Sequence, residues 1–79
     1  MKNINTRHIK AARALLDWNQ EELADRAKVG VVTLRRIEGT DGELPETKAA
    51  EKIVAALKAA GIAFQNHGKP GVRLRKAGE

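Results

Sequence analysis

The sequence predicts a mainly α domain of about four helices followed by a C-terminal β-hairpin. Apolar residues recur at helical spacing in separate segments between about residues 6 and 60, Gly and Pro fall in the gaps, and beyond Gly61 the apolar period shortens to about 2. At 79 residues there is room for one domain, because a folded unit takes on the order of 50 to 200 residues to enclose a core. Residues 1–79 are therefore read as a single domain whose stability depends on well-packed helices or on a partner subunit.

The first helix spans about residues 6–16. Ile9, Ala12, Leu15 and Leu16 share its apolar side, Lys10, Arg13 and Asp17 lie mostly on other faces, and Asn5 or Thr6 supplies the N-cap. The second spans about 20–27 and buries Leu23, Ala24 and Ala27; Asn19 followed three residues later by Glu22 is a capping-box pattern with Asn in place of Ser or Thr. "KVG", residues 28–30, breaks the helical pattern. A third helix over about 31–38 turns Leu34 and Ile37 inward and stops at Gly39, a natural C′ residue. "GTDGELP" reads as a loop. After Pro45 a long alanine-rich helix covers about 46–60, with Ala50, Ile53, Val54, Leu57 and Ala60 as its stripe, and ends at Gly61. "IAFQN" and "VRLR" then alternate around the turn-rich "HGKPG": Ile62, Phe64, Val72 and Leu74 share one face, and Ala63, Gln65, Arg73 and Arg75 the other. This candidate hairpin, 62–76, is marginal in water unless something covers it.

Composition narrows the function classes. A net charge of +5 and a sequence pI near 10 point first to a polyanionic partner. The excess sits at both ends: residues 1–40 carry 8 Lys/Arg against 5 Asp/Glu, residues 41–61 carry 3 against 4, and residues 62–79 carry 4 against 1. There is no cysteine, hence no disulfide and no thiolate metal site. With no apolar run in "MKNINTRHIK" for a signal peptide and no stretch near the roughly 18 residues of a membrane span, the expected location is cytoplasmic. Catalysis has little to stand on, since Ser, Cys and Tyr are missing and no glycine falls in a phosphate-loop pattern. His8 and His67 lie in distant segments and read as surface residues, with no metal or cofactor expected. Trp18 and Phe64 read as core.

One stretch does not fit a solvated face: "KVGVVTLRRIEG", Lys28 to Gly39, places two valines and two arginines where mixed polar residues would be ordinary. Helix, tight turn and helix within 20 residues is the geometry by which a second helix enters the DNA major groove while the first braces it. "QEELADRAKVGVVTLRRIEG", Gln20 to Gly39, resembles the helix-turn-helix of the phage-repressor, Cro and XRE-like transcriptional regulators, and with the preceding helix the resemblance covers about Lys10 to Leu57. The matching positions are Gln20 opening the supporting helix, small Ala24, apolar Val29 in the turn, inward Leu34 and Ile37, and the closing "IEG".

The resemblance implies a lambda-repressor-like fold and sequence-specific binding of double-stranded DNA by a small transcriptional regulator, of repressor type. Contacts to base edges would fall on Val31, Val32 and Arg36, with Gly30, Thr33 and Arg35 nearby and Gln20 at a phosphate. Arg35 or Arg36 suits guanine O6 and N7, and the valines suit thymine methyl groups. Against this stand a solvated face for the arginines and a core or subunit contact for one of the valines. Where the family usually has Gly, this chain has Lys28, which would need φ > 0 at a cost of order 1 kcal/mol. The resemblance also implies a pair between Arg13 and Glu38, the alternative being two surface charges.

One recognition helix covers about half a turn of duplex, so two copies near 34 Å apart are expected. The expected homodimer interface is the ribbon face Ile62, Phe64, Val72 and Leu74, with the alanine-rich helix second. A second reading makes the chain an antitoxin-like module that binds a protein partner such as a toxin, with DNA binding secondary; a third is RNA association. Arg73, Arg75 and Lys76 fit either a solvating tail or a phosphate contact.

Overall fold

The computed structural model describes residues 4–65 and 71–74. Four helices, α1 (Thr6–Leu16), α2 (Gln20–Ala27), α3 (Val31–Gly39) and α4 (Lys48–Ala59), precede the strands β1 (Ile62–Gln65) and β2 (Gly71–Leu74). Residues 66–70, with His67, and the positions of Arg75 and Lys76 lie outside the described residues.

The first three helices begin and end where local chemistry dictates. Asn5 caps α1 by accepting from the backbone N–H of Arg7 at 2.8 Å and of His8 at 3.4 Å. His8 returns the bond, its Nδ1 accepting from the Asn5 N–H at 3.2 Å. The reciprocal capping box thus sits on α1, and His8 is buried rather than on the surface as its sequence context suggests. On α2 only half of the expected box forms. Asn19 accepts from the Glu22 N–H at 2.8 Å, but the Glu22 carboxylate turns to Arg26 at 2.7 Å instead.

Helices α1 and α2 end alike, each on a non-glycine residue in the left-handed region: Asp17 at φ 57° and Lys28 at φ 59°. The next N–H reaches back over the turn in both, Trp18 to the Arg13 carbonyl at 2.9 Å and Val29 to the Ala24 carbonyl at 3.0 Å. In this Schellman arrangement the residue after the turn packs back on the helix, and Trp18 and Val29 both lie against the core. The Trp18 ring also carries the Arg26 guanidinium, 4.6 Å from its centroid. The strain anticipated at Lys28 is therefore present, and Asp17 bears the same strain.

Two boundaries differ from the sequence expectation. Helix α4 starts at Lys48 rather than near residue 46, because the Thr47 hydroxyl supplies the capping acceptor, 3.2 Å from the Ala50 N–H. Gly39 closes α3 as its last helical residue and does not turn left-handed; the C-cap is Thr40, whose hydroxyl donates to the Arg36 carbonyl at 3.1 Å. Gly61 does take the left-handed turn after α4, at φ 104°.

The core is built from Ile9 and Ala12 of α1, Leu23, Ala24 and Ala27 of α2, Leu34 and Ile37 of α3, and Ala50, Ile53, Val54 and Leu57 of α4. These are among the inward positions the periodicity selects; of the others, Leu16 is half-buried against the core, Ala60 is the half-buried C-cap of α4 rather than a core residue, and Leu15 is 45% exposed. An unexpected member is Leu44, 1% exposed, from the stretch read only as loop. Its N–H donates to the Ile4 carbonyl at 2.9 Å and the Thr6 N–H donates to the Gly42 carbonyl at 3.0 Å, so the loop is sewn to the start of α1. Gly42, at φ 119°, makes the bend a side chain would resist.

The hairpin is antiparallel, with Ile62 opposite Leu74 and Phe64 opposite Val72, which puts the four apolar residues on one face as their alternation implies. The chain itself covers most of that face. Ile62 is buried in the core, Phe64 and Val72 pack against it, and only Leu74, at 39%, is substantially exposed. The ribbon's need for a cover is thus met largely within one copy, with β2 against α1 and β1 against α4.

Candidate nucleic-acid interface

The buried stripe of α3 fixes what its other faces present. With Leu34 and Ile37 inward, Val32, Thr33, Arg35 and Arg36 point out and are exposed, Val32 at 58%. Val31 is half-buried against the core. The two valines therefore divide: Val31 helps seat the helix and Val32 projects from it. Gly30 caps α3 without offering a side-chain acceptor, leaving the first-turn amides of the helix to outside partners. Its backbone is extended (φ −69°, ψ 142°), and a Cβ added there would meet only the Thr33 hydroxyl at 3.8 Å. Nothing in the chain's own conformation demands glycine at this position.

The far end of α3 is anchored by a buried charge. The Glu38 side chain is 2% exposed and that of Arg13 19%. Arg13 Nε and Nη2 donate to the two Glu38 carboxylate oxygens, each at 2.8 Å, in the bidentate geometry of a guanidinium–carboxylate pair. A further guanidinium nitrogen, Nη1, donates to the Trp18 carbonyl at 3.1 Å. Gln20 Nε2 adds a third donor to Glu38, at 3.1 Å from Oε1. The pair implied by resemblance is thus an interior clamp joining α1, α2 and α3, and no buried side-chain N or O among the described residues lacks a partner. Its effect is orientational, holding α3 at one angle to its support, because desolvation offsets much of the Coulomb gain.

Gln20 is not simply presented to solvent, a detail its position in the motif did not reveal. Its amide nitrogen is turned inward to Glu38 and its carbonyl oxygen accepts from Arg35 Nε at 3.3 Å. Arg36, by contrast, makes no side-chain hydrogen bond or ion pair among the described residues. Two exposed ion pairs, Arg7 with Asp41 at 3.3 Å and Arg26 with Glu22 at 2.7 Å, contribute little energy. Among the described residues no group of three or more His, Cys, Asp or Glu side chains is arranged to hold a metal ion, and no helix is long and apolar enough to cross a membrane.

A braced, exposed helix that follows a three-residue turn and presents paired arginines defines a DNA-binding helix-turn-helix domain. A family model for the helix-turn-helix matches residues 9–59. The chain belongs to that family, the XRE and lambda-repressor-like helix-turn-helix proteins. The match runs from within α1 to the end of α4 and stops before the hairpin. No curated protein sequence matches the chain.

Proposed function

We propose that the chain is a sequence-specific regulator of transcription that inserts the N-terminal half of α3 into the major groove of double-stranded DNA and acts as a homodimer. The observation that carries this reading is the exposed face of Val32, Thr33, Arg35 and Arg36, held out on a helix whose opposite side is locked by Leu34, Ile37 and the buried Glu38. Val32 suits a thymine methyl group, an arginine suits guanine, and the uncapped first turn with its small Gly30 permits close approach of the phosphate backbone. The net charge of +5 supplies the sequence-independent attraction. Two valines at the head of the helix offer fewer hydrogen bonds to base edges than amide side chains would, so the specificity ratio is modest.

Two copies on a pseudo-palindrome provide the affinity one helix lacks. Since Ile62, Phe64 and Val72 are engaged by the chain's own core, the ribbon contributes to a dimer through Leu74 and its strand edges, with α4 as the other surface. Selection of bound duplexes from a random pool tests both parts. A two-fold symmetric motif is the expected product, and an asymmetric half-site bound by a species of monomer mass would overturn the dimer. Removing everything after Gly61 should leave a monomer; an unchanged oligomeric mass would move the interface to α4.

A further inference from the structure

We infer that Gln20 is a positioning residue that divides the work of the tandem arginines: it holds Arg35 at the rim of the interface as a phosphate contact and leaves Arg36 to read base edges. This rests on the DNA-binding reading above. A carboxylate only accepts hydrogen bonds, and an amide side chain has one donating and one accepting end. Because Glu38 is buried and faces Gln20 at 3.1 Å, the amide must turn its NH2 inward. Its carbonyl is then directed outward, where it accepts from a cation and repels an anion. Arg35 Nε occupies that acceptor at 3.3 Å.

Hydrogen bonds thus run without interruption from the Trp18 carbonyl through Arg13, Glu38 and Gln20 to Arg35. A guanidinium tethered through Nε is drawn back over the N-terminus of α2, away from the groove-facing start of α3, while its terminal nitrogens remain available to a phosphate. Arg36, one residue on, has no such tether among the described residues and is free to extend to a base.

The experiment uses the full chain with a duplex selected from a random pool and an unrelated duplex of equal length, each titrated at several salt concentrations. Arg35→Ala should weaken binding to both duplexes by the same factor and reduce the salt slope by about 1. Gln20→Ala should weaken both to a smaller extent and add nothing in the Arg35→Ala background. Arg36→Ala should instead collapse the ratio between the two duplexes, by roughly five- to hundredfold, at one base pair. In the free protein, the Arg35 Nε–H resonance should be visible in wild type and lost to solvent exchange in Gln20→Ala, whose melting curve shows it folded, while the Arg13 Nε–H resonance persists. Additive effects of Gln20→Ala and Arg35→Ala, a change of sequence preference in Arg35→Ala, or an Arg35 resonance indifferent to Gln20 would each overturn the division of roles and leave DNA binding intact. Failure of the wild-type chain to bind any duplex would instead remove the DNA-binding reading and the inference with it.

Discussion

The clamp between Arg13 and Glu38 yields the sharpest energetic prediction. Replacing Arg13 by Met keeps much of the apolar stem but leaves the Glu38 carboxylate, 2% exposed, with the single Gln20 amide as its donor. Stranding a buried charge in this way costs about 3 to 5 kcal/mol. A domain of 79 residues has on the order of 4 to 12 kcal/mol in total, so a large share of the stability is removed. The melting temperature should fall by on the order of 20 °C. Glu38→Gln should cost less, about 1.5 to 3 kcal/mol, because the Arg13 guanidinium is partly solvated and keeps the Trp18 carbonyl. The double variant Arg13→Met/Glu38→Leu removes both charges and should be more stable than Arg13→Met alone, giving a coupling of about 2 kcal/mol or more. Urea denaturation followed by circular dichroism measures all three. An Arg13→Met cost below about 1 kcal/mol, with additive behaviour in the cycle, would place the pair with exposed ion pairs and refute its role as the clamp.

Other consequences are equally concrete. Lys28→Gly removes left-handed strain of about 1 to 2 kcal/mol against a glycine entropy cost of about 0.5 to 1 kcal/mol, so a rise in urea midpoint worth up to about 1.5 kcal/mol is expected; a fall would mean that the lysine side chain stabilises the turn. Gly30→Asp supplies the missing N-cap and should gain a few tenths of a kcal/mol, yet it sets a negative charge against the phosphates and should weaken duplex binding at least tenfold in a fluorescence anisotropy titration. Leu44→Ala empties a site in the core and should cost about 2 to 5 kcal/mol in the same urea assay; a loss under about 1 kcal/mol would show that the loop is only loosely attached. Asn5→Ala, which removes the α1 cap and its box, should cost about 1 kcal/mol.

The elements that sequence alone disclosed are those controlled by local signals. Helical periodicity located α1 to α4, and the shift to alternation located the hairpin, because burial of a stripe or a face is written into residue spacing. What it missed depends on contacts between distant segments. Leu44 looks like one apolar residue in a polar loop, and its burial follows from pairing with Ile4 across the chain. His8 looks like an isolated polar residue, and its burial follows from the bond it returns to Asn5. Pro45 marks a boundary strongly, whereas the acceptor that begins α4 is the Thr47 hydroxyl, so the helix starts later than the sequence suggests. In the candidate interface, spacing gave the exposed positions of α3, but the direction of the Gln20 amide follows only from its burial against Glu38. Similarly, the apolar alternation of the ribbon specifies a face without saying that α1 and α4 of the same chain lie against it.

On the proposed function, the outer face of α3 is the surface that meets DNA. Titrating the isotope-labelled chain with a short duplex at low salt, and following each backbone amide by NMR, tests it most directly. The largest shifts should fall on Gly30 to Arg36 together with Gln20, and should shrink as salt rises. Shifts confined to α4 or the ribbon, with α3 silent, would contradict it.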